Sequence, residues 1–197
     1  NIAEPFFSQN WIDAKVTSGK QGGAYCMGVT PQHHPYVFMN YNGSLRDVTT
    51  LAHELGHGIH DILANQQNLL NYHPVLPLAE TASTFAEMLV FDKLQNQLTS
   101  AQDQLALLCS KTEDTFATVF RQIAMFRFER SAHDLRRNSG EQTVTAYGEL
   151  WQKKQQEMFG DSLKLGAEHS YWWIYIPRVY RAPFYVFGYA FGLFLGF

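Results

Sequence analysis

Three residues in the stretch His53-Glu54-Leu55-Gly56-His57 are of types that do chemistry together. At about 3.6 residues per turn, His53 and His57 sit one turn apart and project from the same side of a helix, so two imidazoles can reach one metal ion. Glu54 lies about 100° round from His53, beside such an ion and not on it, where a general base for an attacking water should stand. His60 falls within about 20° of His53 on the helical wheel, one turn further on. It reads either as a satisfied structural histidine or as a group on the substrate side.

This chemistry needs a helix, and the sequence supplies one over about 45–62. Ser44 followed three positions later by Asp47 has capping-box spacing, which sets the start. A catalytic zinc takes three protein ligands and leaves a fourth position open. A third histidine in the spacing His-Glu-x-x-His-x-x-Gly-x-x-His is ruled out, because His60 holds the glycine position and Leu63 the final histidine position. The alternative is a glutamate from the next helix. Pro77 suits a first helical turn and predicts a helix over about 77–97, on which Glu80, Ser83, Thr84 and Glu87 share one face. Glu80 and Glu87 are two turns apart, roughly 10 Å along the axis, so they cannot both bind one ion directly. Glu80 is taken as the expected ligand, and Glu87 reads either as the acceptor for a ligand imidazole's other N–H or as a plain ion-pair or surface residue. The expected cofactor is one zinc ion, and this donor set also accepts cobalt or manganese.

The remainder of the sequence bounds the setting. With 197 residues, 46% hydrophobic and 17% charged, the chain can bury one sizeable core and is expected as a single catalytic domain over 1–197. A net charge of −3 without long runs of one sign argues against a nucleic-acid partner. Cys26 and Cys109 lack C-x-x-C spacing, which favours a reducing, cytoplasmic compartment. Strands are expected within 24–29 and 36–41, the second closed by Asn42-Gly43. That second strand is either an edge to which an extended peptide adds or an ordinary strand. His33 and His34 are adjacent, would point in opposite directions, and read as exposed loop residues. After a loop over 65–77 and the ligand helix, further helices are expected at 99–110, at 112–138 ending in Asn138-Ser139-Gly140, and at 141–158 stopping at Gly160. The fold class is thus mainly α, with a small β-strand region near the N-terminus. Residues 183–197 form an apolar run of 15, short of the roughly 20 that span a bilayer, so no membrane partner is expected. The run reads as a buried helix interrupted mid-course, and the chain as a fragment of a longer enzyme.

Together these residues resemble the oligoendopeptidase F family, zinc oligopeptidases related to thimet oligopeptidase. The likeness runs through Tyr41–Asp47 into Thr50–His57, through Ala79–Glu87, and through Ile176–Tyr180 with Pro183–Phe187. It implies a zincin-like helical catalytic domain that hydrolyses oligopeptides, with His53, His57 and Glu80 as zinc ligands and Glu54 as general base. It also implies that phenols of the Tyr-rich segment, Tyr180 and Tyr185, steady the oxyanion. Two departures fall in that segment: Arg178 stands where family members usually carry His, and Phe187 where many carry Tyr. Arg178 is then a cationic substitute that binds substrate, as His60 is in the second of its two readings. A larger helical enclosure from the remainder of the same chain is expected to pack on these residues. The competing reading, supported by the two departures alone, is a non-catalytic zinc-binding or interaction module on the same scaffold.

Overall fold

A computed structural model describes residues 1–196 of the chain. It is mainly α with one small sheet, and it divides into two compact units. The first holds residues 1–107 together with the stretch from Phe191 onward; the second holds Leu108–Ala190.

The first unit opens with a short helix, α1 (Glu4–Ser8), followed by three brief strands, β1 (Ile12–Asp13), β2 (Tyr25–Met27) and β3 (Tyr36–Phe38). β3 is the central strand, pairing parallel with β1 (Ile12 opposite Val37) and antiparallel with β2 (Cys26 opposite Val37). Both edges of β3 are therefore occupied, and the outer edges of the sheet belong to β1 and β2. This corrects the reading of 36–41 as a receiving edge: a strand already paired on both sides has no ladder groups left for a peptide. His33 is exposed, as expected, but His34 is half-buried and stacks on Trp11 with ring centroids 4.0 Å apart.

Beyond the sheet run α2 (Leu45–Ala64), α3 (Leu69–Tyr72) and α4 (Leu76–Gln97). The Ser44 hydroxyl accepts the Asp47 N–H at 3.1 Å and the Asp47 carboxylate accepts the Ser44 N–H at 3.0 Å, so the capping box forms in full. Helix α3 falls inside the stretch read as loop, started by the Asn68 side chain accepting the Leu70 and Asn71 N–H groups. Helices α2 and α4 meet at Gly56: a Cβ built there would stand 2.7 Å from both the Ala82 carbonyl oxygen and the Ser83 Cα. Only glycine lets the two backbones approach this closely. The same unit takes in the end of the apolar run through Gly192, whose carbonyl accepts the Thr84 hydroxyl of α4 at 3.2 Å. The last residue of that run, Phe197, lies outside the described residues.

In the second unit, helix α5 (Ala101–Phe116), which begins in the first, leads through a wide π turn (Ala117–Arg121) into α6 (Gln122–Ser139). The expected break near 110–112 is absent. No glycine or proline stands there to end the helix, and the irregularity comes instead as the π turn. Helix α6 stops at Gly140, with φ of 74°, and α7 (Val144–Phe159) at Gly160, with φ of 55°, both as the sequence predicts. A 3₁₀ stretch (Ala167–Tyr175), the short α8 (Pro177–Arg181) and the start of α9 (Phe187–Gly196) complete the unit. Its core is Met125, Phe128, Trp151 and Val186, with Trp173 and Ile176 packed against it. Burying a side chain such as Phe128 contributes about 1.5–3 kcal/mol. Among the described residues, no helix is long and apolar enough to cross a membrane.

Candidate metal centre

In the first unit, α2 presents His53 and His57 from successive turns, their ring centroids 4.8 Å apart and nearly perpendicular. Helix α4, held against α2 at Gly56, brings Glu80 to the same point. Glu80 Oε2 lies 3.4 Å from His53 Nε2 and 3.9 Å from His57 Nε2. The Glu80 residue is 1% exposed, and Ser83 Oγ, also buried, donates to Glu80 Oε2 at 3.3 Å. One donor atom each from His53, His57 and Glu80 fall within 4.8 Å of one another.

A second carboxylate, Glu87, stands behind His53. Its Oε1 is 3.0 Å from His53 Nδ1, two turns along α4 from Glu80. With Nδ1–H donating to Glu87, His53 Nε2 is left facing the Glu80 carboxylate and the His57 imidazole. Burial alone would lower the proton affinity of His53, but the hydrogen bonds its ring donates to Glu80 and Glu87, with the charges of those carboxylates, outweigh it and raise the pKa to about 10. His57 moves the other way: burial, then the charge of His53, lowers it to about 4, so its ring is neutral and its nitrogen lone pair available.

Glu54, one residue round α2 from His53, is 6% exposed. Burial pushes its carboxyl up to about 7, the charge of His53 opposes, and Glu80 adds to the rise. The backbone N–H of Cys26, in β2, pulls it down again. The strand thus supplies a donor to the glutamate, a contact that no local pattern announces because 28 positions separate the two residues. His60 is half-buried beside Asp61, and its charge depresses His57.

The fit to a divalent ion follows from the donors. Two imidazoles and one carboxylate make a three-ligand set of the kind that holds zinc with a position to spare. A carboxylate as deeply buried as Glu80 also calls for positive charge close by.

The residues of the Tyr-rich segment all lie in the second unit. The Arg178 guanidinium stands over two rings, 4.7 Å from the centre of Tyr185 and 4.9 Å from that of Tyr189, and it donates to the Tyr189 oxygen. Tyr185 and Tyr189 are themselves 5.5 Å apart. Tyr180 is 54% exposed, and its ring lies 6.4 Å from that of Trp173. Phe187 packs its ring against Phe126.

A helical scaffold whose two packed helices converge two histidines and a glutamate, with a further glutamate alongside, defines a class: an α-helical protein with a three-donor group able to hold a metal ion. The comparisons with known proteins give the family. The model of peptidase family M3 matches residues 1–195, and the chain belongs to that family. It is 32% identical over 188 residues to the chromosomal oligoendopeptidase F of Lactococcus lactis subsp. cremoris, covering 94% of this chain and 31% of that protein. It is 29% identical over 193 residues to the oligopeptidase PepF of Bacillus subtilis, covering 98% and 28% respectively. Among solved structures, a Chlamydophila abortus protein described as a peptidase superposes with a TM-score of 0.72 at 32% identity, over 95% of this chain and 31% of the other. Pz peptidase A with an inhibitor has the same fold, with a TM-score of 0.75 at 18% identity, over 94% of this chain and 33% of the other. The chain thus spans about a third of the length of the relatives it matches.

Proposed function

We propose that this chain is the catalytic portion of a zinc-dependent endopeptidase that hydrolyses short peptides, and that the full activity belongs to the longer protein. The observation that carries this reading is the convergence of His53, His57 and Glu80 donor atoms within 4.8 Å, with Glu54 on the same helix as the two histidines. Membership of peptidase family M3 and the oligoendopeptidase relatives support the same reaction class.

In this reading His53, His57 and Glu80 hold the ion. When bound, zinc supplies Lewis-acid polarisation of the scissile carbonyl and lowers the pKa of water at neutral pH. The side chains do the rest. Glu87 fixes the ring of His53 through Nδ1–H, so that Nε2 is the ligand atom. Glu54 takes the proton of the attacking water and passes it to the leaving amine, which is why it must lie beside the donor set and not within it. Tyr180 or Tyr185 donates a phenolic O–H to the developing oxyanion. Arg178, seated against Tyr185 and Tyr189, orients that part of the segment and offers charge to substrate, and His60 lines the substrate side of α2. The single 1–197 catalytic domain, a cytoplasmic location suited to the thiols of Cys26 and Cys109, and a helical enclosure from the remainder of the protein belong to the same proposal.

The test is hydrolysis of an internally quenched fluorescent peptide by the full-length protein, with metal content determined in parallel. The expected result is about one zinc per chain, activity abolished by a chelator and restored by zinc. A zinc-replete protein without peptide hydrolysis would leave the non-catalytic module in its place.

A further inference from the structure

The segment bearing the proposed oxyanion tyrosines contains a backbone anomaly. Phe184 has φ of 61°, a left-handed conformation that crowds the Cβ of an L-residue; apart from Asn10, it is the sole non-glycine in that region among the described residues. Its place explains the sign. The Tyr185 N–H donates to the Ala182 carbonyl at 3.2 Å, so Pro183 and Phe184 are the central residues of a four-residue turn. Proline in the second position is usual, but a positive φ in the third ordinarily falls to glycine or asparagine. A phenylalanine persists there only if its surroundings over-determine it.

Those surroundings are one face of α6, offered by Phe126, Glu129 and His133 at positions i, i+3 and i+7. Glu129 Oε1 accepts the Phe184 N–H at 2.7 Å, across 55 positions of sequence. The Phe184 ring is flanked by Phe126, at 6.0 Å between centroids, and by His133, at 5.1 Å. Glu129 is 2% exposed, and the partner of its buried oxygen is a peptide N–H rather than a cation. Placing a carboxylate inside an apolar core is costly unless it is satisfied there. The burial raises its pKa, with the Phe184 amide and His133 pulling in the opposite direction. Glu129 also lines a cavity of about 360 Å³ together with Tyr180, Tyr147 and Trp173, so one carboxylate borders both tyrosine-bearing stretches of the segment.

We propose that Glu129 is a positioning residue for peptide hydrolysis: by holding the Phe184 N–H it locks the left-handed turn and thereby fixes the direction in which Tyr185, the next residue, presents its phenol. This rests on the peptidase reading above and assigns Glu129 no contact with substrate. A turn released from α6 relaxes towards an ordinary backbone, and the phenol moves off the position where oxyanion charge develops. Misplacement by 1 Å costs roughly 100-fold in rate.

The experiment uses the zinc-loaded full-length protein and compares Glu129→Ala, Glu129→Asp and Glu129→Gln, each alone and combined with Tyr185→Phe. Alanine removes the acceptor, aspartate keeps the charge but loses the reach, and glutamine keeps an acceptor oxygen at the same reach. We expect Glu129→Ala and Glu129→Asp each to lower kcat by roughly 100-fold, with KM held within about threefold and zinc content unchanged. Glutamine should recover most of the loss. In the Tyr185→Phe background, Glu129→Ala or Glu129→Asp should lower kcat by less than about threefold further, because both changes disable one phenol. Losses that multiply in the double variants, or wild-type kcat in Glu129→Asp, would overturn the proposal, and the aspartate variant keeps the test alive if alanine fails to fold. An inactive wild type would instead be a failure of the peptidase reading, separable from a failure of this one.

Discussion

The proposed metal donors, with Glu54 beside them, and the proposed oxyanion tyrosines are carried in opposite ways. His53, Glu54 and His57 sit on a helix of 20 residues and Glu80 on one of 22, each with its own hydrogen-bond ladder. Their spacing is set by backbone meeting backbone at Gly56. Tyr180 is on a helix of five residues, and Tyr185 follows a turn whose central phenylalanine has a left-handed backbone. Groups that must hold an ion need rigid elements with locked second partners, whereas a group that meets the substrate only as charge develops can ride on a short segment. In the proposed enzyme the first region sets the affinity for metal, and the second sets how much of the transition state is captured.

This contrast can be broken most sharply at Glu54. Glu54→Gln in the full-length protein should lower kcat by roughly 10²–10⁴-fold while elemental analysis still finds the ion, since the glutamate stands outside the donor set. Normal turnover would remove Glu54 from the mechanism. Next in size, Tyr185→Phe should lower kcat by about 10²–10³-fold with little change in KM, the behaviour of a lost oxyanion donor. An unchanged kcat would transfer the role to Tyr180. Glu87→Gln should weaken metal affinity by about 10–100-fold, read from competition with a chromogenic chelator, because the His53 ring loses its charged anchor. Equal affinity would make Glu87 a bystander. The smallest effect is expected far from either region's chemistry. Ser44→Ala removes the hydroxyl that accepts the Asp47 N–H and should lower unfolding stability by about 1 kcal/mol in a denaturant melt, without altering turnover.

The first region was legible because its signals are local. The one-turn spacing of His53 and His57, the capping box at Ser44 and Asp47, and Pro77 opening the helix of Glu80 all act within a few residues, and α2 and α4 fall where they point. Counting turns separated Glu87 from Glu80 but left open whether it would meet a ligand imidazole at all, and did not say that the partner would be His53. What escaped was long-range. The central place of β3 depends on β1, a two-residue strand with no period to detect. The Cys26 amide beside Glu54 and the Glu129 contact to Phe184 link residues 28 and 55 positions apart. A positive φ at a phenylalanine has no signature in composition, because the usual marker, glycine, is absent. The 3₁₀ stretch over Ala167–Tyr175, rich in bulky aromatics, was likewise unannounced by spacing.

The π turn at Ala117–Arg121 bears on how this part of the chain tolerates change in length. A helical segment behaves as a reading frame in which each inserted or deleted residue turns everything downstream by about 100°. A wide turn already holds slack relative to an α-helix. Deleting one residue within 117–121 would tighten it to ordinary helix and, because a π turn spends about one extra residue on nearly the same rotation, would leave the face of Phe126, Glu129 and His133 directed much as before. The turn is therefore a length buffer ahead of α6, and a chain one residue shorter there should keep the Glu129 contact to the Phe184 N–H.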